Sequence, residues 1–191
     1  MLNRIKNRIS SLIKPVAAFM ASRNIDPNIV TLTGLVLALI TPVSALLYGI
    51  PGAIVMIILS SILDFLDGEI ARVSGRVSAR GAFLDSLCDR ISDLSYLSTF
   101  IILGLSPVAV YIAAGASLMI SYARARAESL GVRVSGVGLM ERGERILTII
   151  LILLLGLFSQ SAMEIALFVF IALSIYTAIE RTVFVIRSLG R

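Results

Sequence analysis

The sequence has no histidine, no tryptophan and a single cysteine, Cys88, among its 191 residues. Without histidine there is no His-based zinc site and no Ser-His-Asp triad. A lone cysteine forms no internal disulfide. Any general base must be a carboxylate, Lys, Tyr or Cys. Charge is scarce as well: 15% of residues are charged and 58% are hydrophobic, where a soluble domain carries about a quarter charged residues. The mean hydropathy of +0.97 leaves too little polar surface to face water. The bilayer is the alternative solvent. The charge that is present leans positive, with 17 Lys and Arg against 12 Asp and Glu, a net +5. That balance suits anionic headgroups or anionic substrates, although membrane topology alone also favours it.

Charge-free runs mark the expected spans. Residues 27–63 carry no charge and are too long for one helix. The Gly-Ile-Pro-Gly stretch at 49–52 breaks them into a helix near 28–48 and another from about 52. Residues 94–123 break at Gly104-Leu105-Ser106-Pro107, and runs at 146–163 and 165–179 part at Ser159-Gln160-Ser161. Crossing the hydrocarbon core takes about 20 residues per helix. The expectation is an all-α integral membrane fold of six transmembrane helices. Residues 1–22 are expected to precede it as an amphipathic interfacial helix. There Leu2, Ile5, Ile9, Leu12 and Ile13 recur at helical spacing, and Arg4, Lys6, Arg8 and Lys14 interrupt any signal-peptide core. Residues 23–191 then form one transmembrane domain. Lys and Arg concentrate in the N-terminal segment, the 72–80 and 124–145 links and the C-terminal tail. The positive-inside rule places both termini and both links in the cytoplasm, in a multi-pass plasma-membrane protein.

The chemistry is concentrated in residues 64–90. Asp64 and Asp67 are three apart, and Asp85 and Asp89 four apart, so each pair shares a helix face. Both pairs sit at the charged ends of neighbouring spans. Packing those spans side by side gathers four carboxylates, which repel strongly in a low dielectric. A divalent cation relieves the repulsion, and all-oxygen ligands favour Mg²⁺, Mn²⁺ or Ca²⁺. Two cations bridged by carboxylates form the clamp used in in-line phosphoryl displacement. Gly68 and Gly81 fit close approach of a substrate to the backbone, or equally tight helix packing. Arg72, one turn beyond Gly68, is placed to meet a diphosphate. Arg76 and Arg80 are read as interfacial charges.

The pattern Asp64-x-x-Asp67-Gly68-x-x-Ala71-Arg72-(x)8-Gly81-x-x-x-Asp85-x-x-x-Asp89 resembles the full signature of the CDP-alcohol phosphotransferase family. The resemblance implies a homodimer with a cytoplasm-facing polar cavity in each protomer. It implies two Mg²⁺ or Mn²⁺ ions per active site on Asp64, Asp67, Asp85 and Asp89, with Asp89 as the base. It further implies CDP-lipid contacts from Gly68, Arg72, Ser78 and the stretch Asn28-Ile29-Val30-Thr31. The partners are then a CDP-lipid, a phospho-alcohol and the bilayer, with no nucleic acid.

The second half bears on the acceptor. Arginines in apolar helices are costly, and convergence on one phosphate justifies them through forked, charge-assisted hydrogen bonds. Ser121, Arg124, Arg145 and Arg181 resemble the basic pocket of the phosphatidylinositol-phosphate and archaetidylinositol-phosphate synthases within that family. Arg126, Arg133 and Arg142 are read as topology charges or as partners of Glu128, Glu141 and Glu144. The expected reaction moves a phosphatidyl or archaetidyl group from a CDP-lipid to inositol 1-phosphate and releases CMP. Glycerol phosphate is the alternative acceptor. An ion transporter with intramembrane carboxylates is the alternative of a different class.

Overall fold

The computed structural model describes residues 13–190, and these hold helices and turns with no strand. Of the predicted interfacial helix, residues 1–12 lie outside the described part. Its remainder is α1, Ile13–Ser22. α1 ends at a turn where Asn24 has a positive φ of 57°, and Ala17 is fully buried against Val30, Leu66 and Ile70.

The next helix, α2, spans Pro27–Val73. Asp26 caps it, accepting from the Asn28 backbone N–H at 2.9 Å, and Pro27 occupies the first turn. Gly49 interrupts it with φ +65° and ψ −155°, a conformation open to glycine and strained for other residues. The two arms fold back on one another as an antiparallel hairpin. Ser60 Oγ donates to the Gly34 carbonyl at 2.7 Å, and a Cβ on Gly34 would lie 3.4 Å from Leu63 Cβ. Near the bend the approach is closer still. A Cβ on Gly52 would fall 2.6 Å from the Ser44 carbonyl oxygen, so only glycine fits without a shift. Gly52→Ala should therefore destabilise the protein by about 1–3 kcal/mol, read as a lower melting temperature in detergent. An unchanged melt would show that the arms part freely.

The other helices are α3 (Ala79–Ile102), α4 (Pro107–Ser129), α5 (Arg142–Gly156) and α6 (Gln160–Leu189). α3 packs on α2, and α6 packs on both α4 and α5. Contacts of α3 with α4 and of α2 with α5 close the bundle. Small and hydroxyl side chains mediate the closest crossings. Tyr96 Oη donates to Ser60 Oγ at 2.7 Å, and Ser95 Oγ donates to the Ala38 carbonyl at 2.7 Å, all deep in the core. α2, α4 and α6 are long and apolar enough to cross a membrane. α3 is interrupted by charge, and α5 has only 15 residues.

The bundle has two unlike ends. At one, the bend at Gly49 and the α3–α4 and α5–α6 turns meet: Gln160 Nε2 donates to the Leu103 carbonyl at 3.2 Å, and a Cβ on Gly156 would lie 3.0 Å from Ile50 Cδ1. The exposed aromatics Tyr48 and Phe158 flank these turns and Tyr111 lies near the start of α4, as aromatic side chains at a membrane–water boundary do. The other end carries the carboxylates and arginines. Large apolar side chains such as Leu39, Ile58 and Phe168 face outward along the helices between the ends. That surface is suited to lipid.

Candidate active site

Three of the four expected carboxylates converge. Asp64 from α2 and Asp85 and Asp89 from α3 each present an oxygen, and all three oxygens lie within 4.8 Å of one another. The i, i+4 spacing aligns Asp85 with Asp89 on the face of α3 that packs against α2. This all-oxygen, negatively charged donor set fits a hard divalent cation. Asp67 is directed differently. It is buried, and its Oδ2 accepts from Thr31 Oγ1 at 2.5 Å across the α2 hairpin.

The positive charge facing the cluster is Arg142, in the first turn of α5. Its Nη1 lies 2.5 Å from Asp64 Oδ2 and 2.9 Å from Asp89 Oδ1. This corrects the sequence expectation for Arg142: its partners are Asp64, Asp89 and Asp93, not Glu128, Glu141 or Glu144. α5 starts beside the cluster, which brings the Arg142 guanidinium onto the aspartates, while Glu128 pairs with Arg124 and Glu141 lies 3.7 Å from Arg181. Asp93 itself carried no sequence assignment. It continues the stripe of Asp85 and Asp89 by four more residues, and that repeat was the signal available. It is buried, with Oδ2 at 2.6 Å from Arg145 Nη2 and Oδ1 at 3.7 Å from Arg142 Nε.

The expected acceptor residues also converge. Ser121, Arg124, Arg145 and Arg181 line a polar cavity of about 400 Å³ together with Asp85, Asp89 and Arg142. Arg145 is buried and donates to Ser121 Oγ and to the Met140 carbonyl, each at 3.2 Å. Arg181 is buried and donates from Nε to the Val137 carbonyl at 2.8 Å and from Nη1 to the Ile120 carbonyl at 3.3 Å. Its Nη2 lies 3.7 Å from Glu141 Oε1 with no hydrogen-bond partner. Arg124 is about half exposed and pairs with Glu128 at 2.9 Å.

The residues expected at the CDP-lipid divide. Ser78 caps α3, accepting from the Gly81 N–H at 3.1 Å. Asn28 Oδ1 sits 3.5 Å from where a Gly81 Cβ would be, so glycine leaves the N-termini of α2 and α3 close together. Arg72 pairs with Glu69 at 2.9 Å and its guanidinium lies over Gly68. Thr31 holds Asp67, Val30 packs in the core with Ala17, and Ile29 faces outward. Arg76 donates to Asn24 Oδ1 at 2.9 Å, tying the α2–α3 link to the start of α2.

Comparison with known proteins identifies the family. Residues 24–179 match the CDP-alcohol phosphatidyltransferase family. The chain is 42% identical over 192 residues to an archaetidylinositol phosphate synthase of Aeropyrum pernix, covering 99% of this chain and 98% of that one. Two crystal structures of Mycobacterium tuberculosis phosphatidylinositol phosphate synthase share its fold at 26% identity. One has CDP-DAG bound, with a TM-score of 0.74 over 92% of this chain and 94% of that one. The other is in complex with manganese and citrate, with a TM-score of 0.73 over 91% and 88%. An ion-transport role, the alternative of a different class, falls away with these matches. The chain belongs to the CDP-alcohol phosphatidyltransferase family and is a membrane enzyme of phospholipid synthesis.

Proposed function

We propose that the enzyme transfers the phosphatidyl or archaetidyl group of a CDP-lipid to inositol 1-phosphate, releasing CMP. One observation carries this reading. The carboxylates Asp85 and Asp89 and the basic group Arg124, Arg145 and Arg181 line the same cavity. A hydroxyl brought to the carboxylates therefore belongs to a molecule whose phosphate can reach the arginines. Choline or serine brings no phosphate for Arg181 Nη2, which is buried without a hydrogen-bond partner. The names of the A. pernix and M. tuberculosis relatives point to the same acceptor class.

In the proposed reaction Asp89 accepts the proton of the acceptor hydroxyl as its oxygen attacks the phosphorus next to the lipid. The bond from that phosphorus to the bridging oxygen breaks, and CMP carries the oxygen away. Two divalent cations on Asp64, Asp85 and Asp89, with Asp67 completing the set, would neutralise the diphosphate and stabilise the charge that develops there. Arg72 steadies the CDP phosphates beside Gly68, with Ser78 and residues 28–31 closing the nucleotide side. Arg145 and Arg181 hold the acceptor phosphate in a fixed orientation.

The membrane setting follows the two-ended bundle. The two arms of α2 and helices α3 to α6 make six passes. The charged end, both termini and the cavity face the cytoplasm, so CMP leaves into water while the lipid chains stay in the bilayer. The working unit is proposed to be a homodimer.

The test is CMP release by purified protein in detergent, with CDP-archaeol or CDP-diacylglycerol and Mn²⁺ or Mg²⁺. Release should require both substrates, favour inositol 1-phosphate over glycerol phosphate and free inositol, and vanish on chelation with EDTA. A higher kcat/KM with glycerol phosphate would reassign the acceptor. EDTA-resistant release would remove the metal.

A further inference from the structure

Arg142 presents a competition that the proposed reaction does not use. Its Nη1 engages Asp64 and Asp89, two of the three carboxylates whose oxygens lie within 4.8 Å of one another. A dication held by those oxygens and a guanidinium on the same carboxylates repel one another at short range. One of them must yield.

The structure also supplies the place to which Arg142 would move. Arg142 Nε and Asp93 Oδ1 are both buried, and neither has a hydrogen-bond partner. They lie 3.7 Å apart, just beyond hydrogen-bond length. A small displacement of the guanidinium away from Asp64 and Asp89 would satisfy two orphaned polar atoms at once, a favourable step in a buried setting. The other oxygen of Asp93 already holds Arg145.

We propose that Arg142 is a two-position residue. It neutralises Asp64 and Asp89, and metal loading transfers it to Asp93, beside Arg145 on the wall of the cavity. Asp93 is thus the receiving site, a positioning residue that makes metal uptake easier by stabilising the displaced arginine. In the second position Arg142 and Arg145 share one carboxylate, which leaves net positive charge at the cavity wall. The cavity is therefore most attractive to a phosphate-bearing acceptor after the metal site has filled. This order of events rests on the proposed metal-dependent function of the carboxylates.

A double-mutant cycle on Mn²⁺ affinity tests it, with free Mn²⁺ read by electron paramagnetic resonance on the full-length protein in detergent. Arg142→Gln should tighten Mn²⁺ binding by about tenfold, within the range of couplings between contacting charged residues. Asp93→Asn should weaken binding by about tenfold with Arg142 present. With Arg142→Gln it should weaken binding by only about twofold, through lost negative charge. Equal fold-changes in the two backgrounds would overturn the two-position residue, because a stationary Arg142 makes the effects multiply. Arg142→Lys, which keeps the cation, should restore most of the dependence on Asp93. A second measurement avoids reliance on variants: a structure of the unmodified protein grown with Mn²⁺. The guanidinium hydrogen-bonded to Asp93 Oδ1 supports the proposal. The guanidinium still bridging Asp64 and Asp89 beside the ion overturns it. Failure of the unmodified protein to bind Mn²⁺ at all would instead bring down the metal reading of the carboxylates, and this inference with it.

Discussion

Asp89→Asn should lower CMP release by about 10³-fold, within the range for loss of a general base, with the protein still folded. Asparagine keeps the shape of the side chain, so packing on α3 is preserved. The change removes one charge from a cluster of three, which eases like-charge repulsion. It also removes one of the carboxylates around Arg142, with Asp64 and Asp93 remaining. These effects oppose, and the melting temperature should move by no more than a few degrees. The rate loss has two candidate causes, a missing base and a weakened metal site. Saturating Mn²⁺ separates them. If Asp89 served only as a ligand, high metal would restore the rate. If it takes the proton of the acceptor, the deficit persists at any metal concentration. Undiminished CMP release in Asp89→Asn would remove Asp89 from the chemistry.

The cluster that this variant perturbs was largely legible in the sequence, because its signal is local. Asp85 and Asp89 share a face at i, i+4, and the bends at Gly49, Gly104 and residues 159–161 announce themselves by glycine, proline and polar residues within charge-free runs. The helical ends at 73, 102, 156 and 160 fall where charge or turn residues interrupt those runs. What was not legible depends on contacts across the bundle. Arg142 meets Asp64 across 78 residues, and no spacing rule connects them. The same holds for Asp67, whose donor Thr31 is 36 residues away on the opposite arm of α2. The stretch 28–31 alternates among four environments because a helix entering a packed corner turns each successive side chain to a new neighbour. Asp93 was the recoverable omission, since its four-residue spacing from Asp89 repeats the step that singled out Asp85 and Asp89.

The acceptor side of the cavity gives the second large effect. Arg181→Ala should reduce kcat/KM for inositol 1-phosphate by about 100-fold, a cost typical of truncating one partner of a buried charged pair. The KM for the CDP-lipid should change by less than about threefold. Arg181 lines the cavity and is fixed by the Val137 and Ile120 carbonyls through Nε and Nη1, which leaves Nη2 buried without a hydrogen bond. Two backbone anchors and one free donor describe a side chain whose orientation is already set before a phosphate arrives, so little ordering entropy is lost on binding. Alanine also removes the side-chain donor shared by those two carbonyls, and the 131–141 link that carries Val137 is expected to loosen. Arg181→Lys isolates the electrostatic part. It keeps the positive charge but lacks the planar fork needed to hold both carbonyls and the phosphate together. Lysine should therefore recover only part of the loss, with the deficit again confined to the acceptor. If both variants weakened the two substrates equally, Arg181 would be supporting the bundle as a whole, and the phosphate of the acceptor would have to bind elsewhere in the cavity.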